Sequence, residues 1–287
     1  MIEKSTMSGR SVLITGATSG IGEATARALA ANGATVAIVG RDEQRTTAAQ
    51  QRIQQAAGTD QVHILLADLS SQREVRRLAQ EVAGRFDRLD ALVNNAGVDV
   101  GARILTSDGL ELTFAVNYLA PFLLSHLLLD LLKASTPSRI VNVASSAHRG
   151  GEIDFDDLQS EQRFGQRAYN NSKLALVLFT FELAKRLKGT GVTANCVDPG
   201  FVRTRLGATM PLGYRLAGML MWPFMSAPDR GADMTVRAVS SPELVDVTGS
   251  YLKRGRSIET GPKTHDPAVA ERLWQVSETL VAATEAG

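Results

Sequence analysis

The chain has 287 residues, of which 44% are hydrophobic and 21% charged, and its formal net charge is +1. This composition belongs to a globular protein with a substantial core, and the dispersed Lys and Arg form no basic stripe of the sort that tracks nucleic acid. A single cysteine, Cys196, and four histidines (His63, His126, His148, His265) at no metal-ligand spacing exclude an intrachain disulfide and argue against a structural metal.

The polar N-terminus lacks the apolar stretch of an export signal, and the longest apolar runs fall short of the roughly 20 residues that cross a bilayer. A soluble, cytoplasmic protein without a membrane span is therefore expected. Short apolar runs, "SVLIT", "TVAIV", "VHILLA", "ALVNN", "RIVNVA", "VTANCV" and later "GSYLK", alternate with segments of helical periodicity. Continuous apolar strands suit a parallel sheet buried on both faces. The pattern predicts an α/β fold, a doubly wound parallel sheet of Rossmann type with about seven strands and helices on both faces. It predicts one domain over residues 1–287, with a substrate flap at about 204–227 and a last helix at about 267–284. A second irregular region, residues 148–166, also follows a strand, on the side where such sheets bind ligands.

The first strand runs into "TGATSGIGEATARALAANG", a glycine-rich turn that opens an amphipathic helix. Gly16 permits a tight turn, Gly20 lets a pyrophosphate approach, and Gly22 lets helix pack on strand, while the helix N-terminus offers N–H groups to the anion. Thr15, Thr18, Ser19 and Ile21 belong to the same turn. Further on, "YNNSK" puts Tyr169 and Lys173 four apart, hence on one helical face and able to address one small object. A free tyrosine ionises near pH 10, too high for an efficient base at neutral pH.

Taken together these motifs resemble the short-chain dehydrogenase/reductase family, most closely its retinol dehydrogenase group. Thr15, Gly16, Gly20, Ile21 and Gly22 match the family's glycine fingerprint, and Asp68 with Leu69 resembles the segment that contacts adenine. Asn95, Ala96 and Gly97 of "NNAG", the helical asparagine Asn117, the serine of "VNVASS", Tyr169 and Lys173 also match. Pro199, Gly200, Val202 and Thr204 of "DPGFVRT" resemble the turn and threonine that hold the nicotinamide amide. The resemblance implies a catalytic set of Asn117, Ser146, Tyr169 and Lys173. Tyr169 would relay the proton, its tyrosinate form favoured by the lysine cation and by an oxidised nicotinamide, Lys173 would bind the ribose, Asn117 would hold a water, and Ser146 would steady the substrate oxygen. Ser146 is preferred over Ser145 by resemblance alone, because the pattern does not separate them.

The cofactor implied is NADP(H). Where relatives that use NAD carry an aspartate at the end of the second strand, this chain has Gly40 followed by Arg41, and a guanidinium suits a 2′-phosphate. The expected activity interconverts a carbonyl and an alcohol on a lipophilic small molecule, retinol-like, steroid-like or polyketide-like. The alternative is a catalytically silent NADP(H)-binding sensor or scaffold. Cys196 reads as core and His148 as a neighbour of the site, while His126 and Asp130 are expected to face solvent or a partner. The apolar helices "LLSHLLLDLL" and "LALVLFTFELA" suggest a homodimer through a second buried face. "MPLGYRLAGMLMWPFM", Met210 to Met225, is expected to close over the substrate.

Overall fold

Runs of β-branched and apolar residues bury both sides of the strands they form, as at Val12, Leu13 and Ile14, each at most 1% exposed. The computed structural model describes residues 7–202 and 225–283. Its sheet takes β1 (Ser11–Thr15), β2 (Thr35–Gly40), β3 (Val62–Leu66), β4 (Ala91–Asn94), β5 (Ser138–Val143), β6 (Val192–Val197), β7 (Tyr251–Lys253) and β8 (Arg256–Ser257). They lie in the order β3-β2-β1-β4-β5-β6-β7-β8. The first seven are parallel, and the order reverses between β1 and β4, which opens a crevice at their carboxyl ends.

The eighth strand is a difference from the seven expected. β8 pairs antiparallel with β7, Lys253 opposite Arg256, through a two-residue turn of Arg254 and Gly255, both at positive φ. Such a turn matches the twist of a hairpin. With only two exposed residues, β8 carries no hydrophobic signal to read.

One face of the sheet is covered by α1 (Gly20–Ala31), α2 (Glu43–Ala57) and α8 (Pro228–Ser240). The other is covered by α3 (Gln72–Arg85) and by α4 (Leu112–Phe114), which continues through a π-helical turn, Ala115–Leu119, into α5 (Ala120–Leu127). There α6 (Leu129–Ala134), α7 (Gln166–Arg186) and α9 (Pro267–Ala282) complete the layer.

α9 alters the expectation of a dimer. Trp274 packs its ring 5.2 Å from Phe122, 5.9 Å from Phe179 and 4.8 Å from His126, and Arg186 lies 4.1 Å over it. The apolar excess of α5 and α7 is thus met by a helix of the same chain, and the reason for expecting a partner there is removed. His126 accordingly sits half-buried under Trp274 instead of facing solvent, and its Nδ1 donates to Phe122 O at 2.7 Å. Burial pushes its pKa down. Asp130 is exposed and Cys196 fully buried, as expected.

Candidate active site

At the crevice, β1 turns into α1 through Gly16 (φ +65°) and Gly20 (φ +62°). A Cβ on Gly16 would stand 2.7 Å from Ala96 Cα, and one on Gly22 would stand 2.4 Å from Asn95 Nδ2 and 2.5 Å from Gly16 O. Only glycine lets β1, α1 and the end of β4 approach so closely. Thr15 and Asn95 fasten this junction. Thr15 Oγ1 accepts from the Asn95 and Ala96 N–H groups at 3.0 and 3.1 Å, and Asn95 Nδ2 donates to Thr15 O and Gly16 O at 2.9 and 3.0 Å. Ser19 precedes α1 without a side-chain cap bond. Sequence reasoning missed Arg52, which reaches over from α2 to Glu23 at 2.8 Å and to Thr18 O at 3.3 Å. Nothing in the spacing of residues 18 and 52 announces that contact.

The end of β2 bears on cofactor choice. A Cβ at Gly40 would lie 2.1 Å from Thr46 Oγ1 and 2.6 Å from Thr18 Cγ2, and Thr46 is held by its own bond to Asp42 O at 2.6 Å. No acidic side chain fits there. Arg41 stands beside it, its side chain 74% exposed and 3.9 Å from the Asp68 carboxylate. Asp68 Oδ1 accepts from Ser70 N and Oγ, which shapes the turn after β3, and Leu69 packs against the core.

α7 carries Tyr169 and Lys173 one turn apart, 9% and 5% exposed. Lys173 Nζ donates to Val143 O at 3.0 Å and lies 5.8 Å from the Tyr169 ring centre. Asn117 sits in the π-helical turn, a feature that often re-aims a side chain at a functional site. Its Oδ1 accepts from Val98 N at 2.7 Å, and its Nδ2 donates to Val98 O at 2.9 Å and to Ser172 Oγ at 3.0 Å. Ser172 Oγ in turn donates to Tyr169 O at 2.7 Å. A Cβ on Gly97 would meet Asn117 Oδ1 at 3.4 Å and Lys173 Nζ at 3.7 Å, so β4, α7 and the π turn converge on that glycine.

The structure corrects the choice of serine. The side chain of Ser145 stands near enough to Tyr169 to lower its pKa, whereas Ser146 Oγ turns away and donates to Asp198 Oδ2 at 2.5 Å. Consecutive residues leaving a strand point to opposite sides, so the two serines cannot share a target. His148, 2% exposed, anchors the same loop by donating from Nδ1 to Ser145 O at 2.7 Å.

Burial dominates the ionisation of the tyrosine and lysine. Burial pushes Tyr169 up to about 12, opposed by the Ser145 hydrogen bond and reinforced by the carboxylates of Asp99 and Asp198. Burial also pushes Lys173 down to about 8. In the protein by itself desolvation is the largest effect on Tyr169 and keeps it neutral, whereas the expectation of tyrosinate joined the Lys173 cation to an oxidised nicotinamide. Asp99 was also missed. This half-buried carboxyl, its pKa raised by burial, is the acid immediately after "NNAGV".

Residues 148–166, the second irregular region, are tied to the body of the protein by hydrogen bonds at several points. Glu152 N bonds Asn171 Oδ1 at 2.9 Å, Glu111 N bonds Gln159 Oε1 at 2.7 Å and Arg103 Nε bonds Gln159 O at 3.1 Å. Pro199 and Gly200 (φ +78°) follow β6, and Val202 pairs with Ser226. A Cβ on Gly231 of α8 would meet Val202 Cγ2 at 2.6 Å and Ile21 Cγ1 at 3.2 Å, which places both near one another. Thr204 and all of the Met210–Met225 segment except Met225 itself lie outside the described residues. Among the described residues no His, Cys, Asp and Glu group could hold a metal, and no helix is long and apolar enough to cross a membrane.

Residues 10–213 match the short chain dehydrogenase family. The chain is 44% identical to human retinol dehydrogenase 14, over 96% of this chain and 87% of the relative. It is 40% identical to human retinol dehydrogenase 13, over 97% and 86%. Among solved structures it resembles a putative uncharacterized protein from Mycobacterium paratuberculosis, with TM-score 0.78, 33% identity, and 96% and 94% of the two chains covered. A short chain dehydrogenase from Burkholderia cenocepacia in complex with NADP matches with TM-score 0.69 and 30% identity, over 87% and 98%.

Proposed function

This chain belongs to the short chain dehydrogenase family and is retinol dehydrogenase-like, and from that premise we propose that it is an NADP(H)-dependent enzyme interconverting a carbonyl and an alcohol on a lipophilic small molecule. The observation that carries this reading is the convergence of Tyr169, Lys173, Ser145 and Asn117 at the carboxyl ends of β4 and β5. NADP in preference to NAD is supported by the Gly40 cradle, which leaves no room for an acidic side chain, and by the exposed Arg41 beside it. A structure of a relative bound to NADP points the same way. The names of the similar proteins suggest a retinol-like alcohol and aldehyde as the first substrate pair to try.

The residues present fit the cofactor. The glycine turn admits a pyrophosphate against the first turn of α1. Lys173 is a buried cation that donates to a single backbone carbonyl among the described residues, so ribose hydroxyls would supply the further acceptors a buried ammonium needs. When bound, the nicotinamide supplies or accepts the hydride. The protein moves the proton. Tyr169, kept neutral by burial, is poised to donate its hydroxyl proton to the substrate oxygen as charge develops there. Ser145, whose side chain stands by Tyr169, would hydrogen-bond that same oxygen and orient the tyrosine. Lys173 and Asn117 hold the far side of the site, Asn117 by locking Val98 and Ser172.

The test is NADPH oxidation with a panel of aldehydes and ketones, retinal included, in wild type, Tyr169→Phe, Ser145→Ala and Ser146→Ala. Loss of the proton donor should cost about 10²- to 10⁴-fold in turnover while NADPH still binds. Ser145→Ala should be more damaging than Ser146→Ala. Full activity in Tyr169→Phe, or the reverse order of the serines, refutes the assignment.

A further inference from the structure

Behind the serine loop lies a polar cluster that the proposed chemistry leaves unused. Asp198, at the end of β6, is 3% exposed and accepts four hydrogen bonds. Its Oδ2 takes Ser146 Oγ at 2.5 Å, Tyr251 OH at 2.9 Å and Lys253 Nζ at 2.9 Å, and its Oδ1 takes Gly200 N at 2.8 Å. Lys253 Nζ also donates to Ser146 Oγ at 2.7 Å. The donors come from three different strand ends: the loop after β5, the turn after β6, and β7. Next to them the His148 ring lies 4.8 Å from that of Tyr251 and holds Ser145 O.

We propose that the Asp198–Lys253 pair is a positioning device for the reaction centre, setting Ser145 against Tyr169 through Ser146 and setting the Pro199–Gly200 turn through the Gly200 N–H. The claim rests on the function proposed above. Two residues that follow Ser145 restrain it, Ser146 through the carboxylate and His148 through the backbone carbonyl, and its Oγ accepts from Ala147 N at 3.2 Å. The same carboxylate grips the turn on the other flank of the crevice, so both flanks move as one body. An ion pair at this depth is weak as a source of stability, because desolvation offsets most of the attraction. Its directional bonds instead fix geometry, to which catalysis is far more sensitive than folding is. Burial opposes ionisation of Asp198, but the bonds from Ser146, Lys253 and Gly200 outweigh it, and the pKa falls below the ordinary carboxylate value. The anion that the device needs is therefore present at neutral pH.

The experiment compares wild type, Asp198→Asn, Lys253→Met and Lys253→Arg by steady-state kinetics, NADPH titration and amide hydrogen exchange. Asp198→Asn and Lys253→Met are expected to lose about 10- to 100-fold in kcat, the cost of misplacement on the ångström scale, a larger change than in KM or in NADPH affinity. Lys253→Arg should recover most of the rate lost in Lys253→Met. Exchange should quicken at residues 145–151 and 199–202 and stay as in wild type in β1 and β4. Wild-type kcat in both Asp198→Asn and Lys253→Met overturns the proposal, and so does exchange that quickens uniformly with a loss of kcat that follows global melting. Because Lys253 is partly exposed, its replacement tests the idea even where Asp198→Asn does not fold. A wild type that turns over no carbonyl or alcohol refutes the function itself, and the exchange pattern still decides whether the pair positions the two loops.

Discussion

Lys173 is an ammonium buried with one backbone acceptor among the described residues, and its pKa of about 8 lies below the ordinary 10.5. Between those two values the unfolded chain holds a proton that the folded chain has released, so this group makes stability rise with pH across that window. Below about pH 8 the full cost of burying the charge is present. Lys173→Met should therefore raise the melting temperature of the cofactor-free protein at pH 7, by a stabilisation of about 0.5–2 kcal/mol, and abolish turnover. The gain should shrink as pH climbs toward 10.5. Thermal melts at pH 7 and pH 10 measure both effects, and a lower melting point at pH 7 would mean that the ammonium is already satisfied inside the protein. At this scale the sequence displayed Tyr169, Lys173 and Asn117 by spacing and resemblance. It did not display which of two adjacent serines meets Tyr169, because that depends on how β5 ends, nor the effect of Asp99, because burial has no signature in one acidic letter.

Among the elements, α9 has the largest effect on how the rest is understood. Its residues Leu273 and Trp274, 1% and 6% exposed, close the face formed by α5 and α7. Trp274→Ala removes the ring that spans Phe122, Phe179 and His126 and should cost about 3–5 kcal/mol, the range for large aromatic truncations in a core. Urea unfolding checks this. A loss well under 1 kcal/mol would show that α9 is a loosely held appendage, and the apolar sides of α5 and α7 would again call for a partner. The periodicity of "PAVAERLWQVSETL" announced a helix correctly, yet periodicity says only that a face is buried and never against what. The hairpin of β7 and β8 was missed for a related reason. Its turn is made by Arg254 and Gly255 at positive φ, and a two-residue strand offers no alternation to detect.

For the whole molecule, the proposed cofactor preference becomes a statement about stability, since a ligand that binds only the folded state adds to it by RT ln(1 + [L]/Kd). At 100 times its Kd a ligand adds about 2.7 kcal/mol. At equal concentrations NADP should raise the melting temperature more than NAD, and Arg41→Asp should reduce the NADP shift far more than the NAD shift. Equal shifts in wild type, or a larger one with NAD, would refute the role given to Arg41 and the Gly40 cradle. The comparison uses no substrate, so it holds whatever the substrate is.

By itself the sequence determined the order of strands and helices, the parallel sheet buried on both faces, the glycine turn at the crevice and the pairing of Tyr169 with Lys173. All of these follow from local periodicity, from φ values that only glycine tolerates, or from spacing along one helix, and each is a property of a short segment. The tertiary structure alone decided that Ser145 faces Tyr169 while Ser146 serves Asp198. It also decided that desolvation raises Tyr169 and lowers Lys173, and that α9 covers the helices that looked ready for a second chain. These outcomes depend on which groups meet across strand ends far apart in the chain and on how little water remains between them. No single segment encodes either quantity.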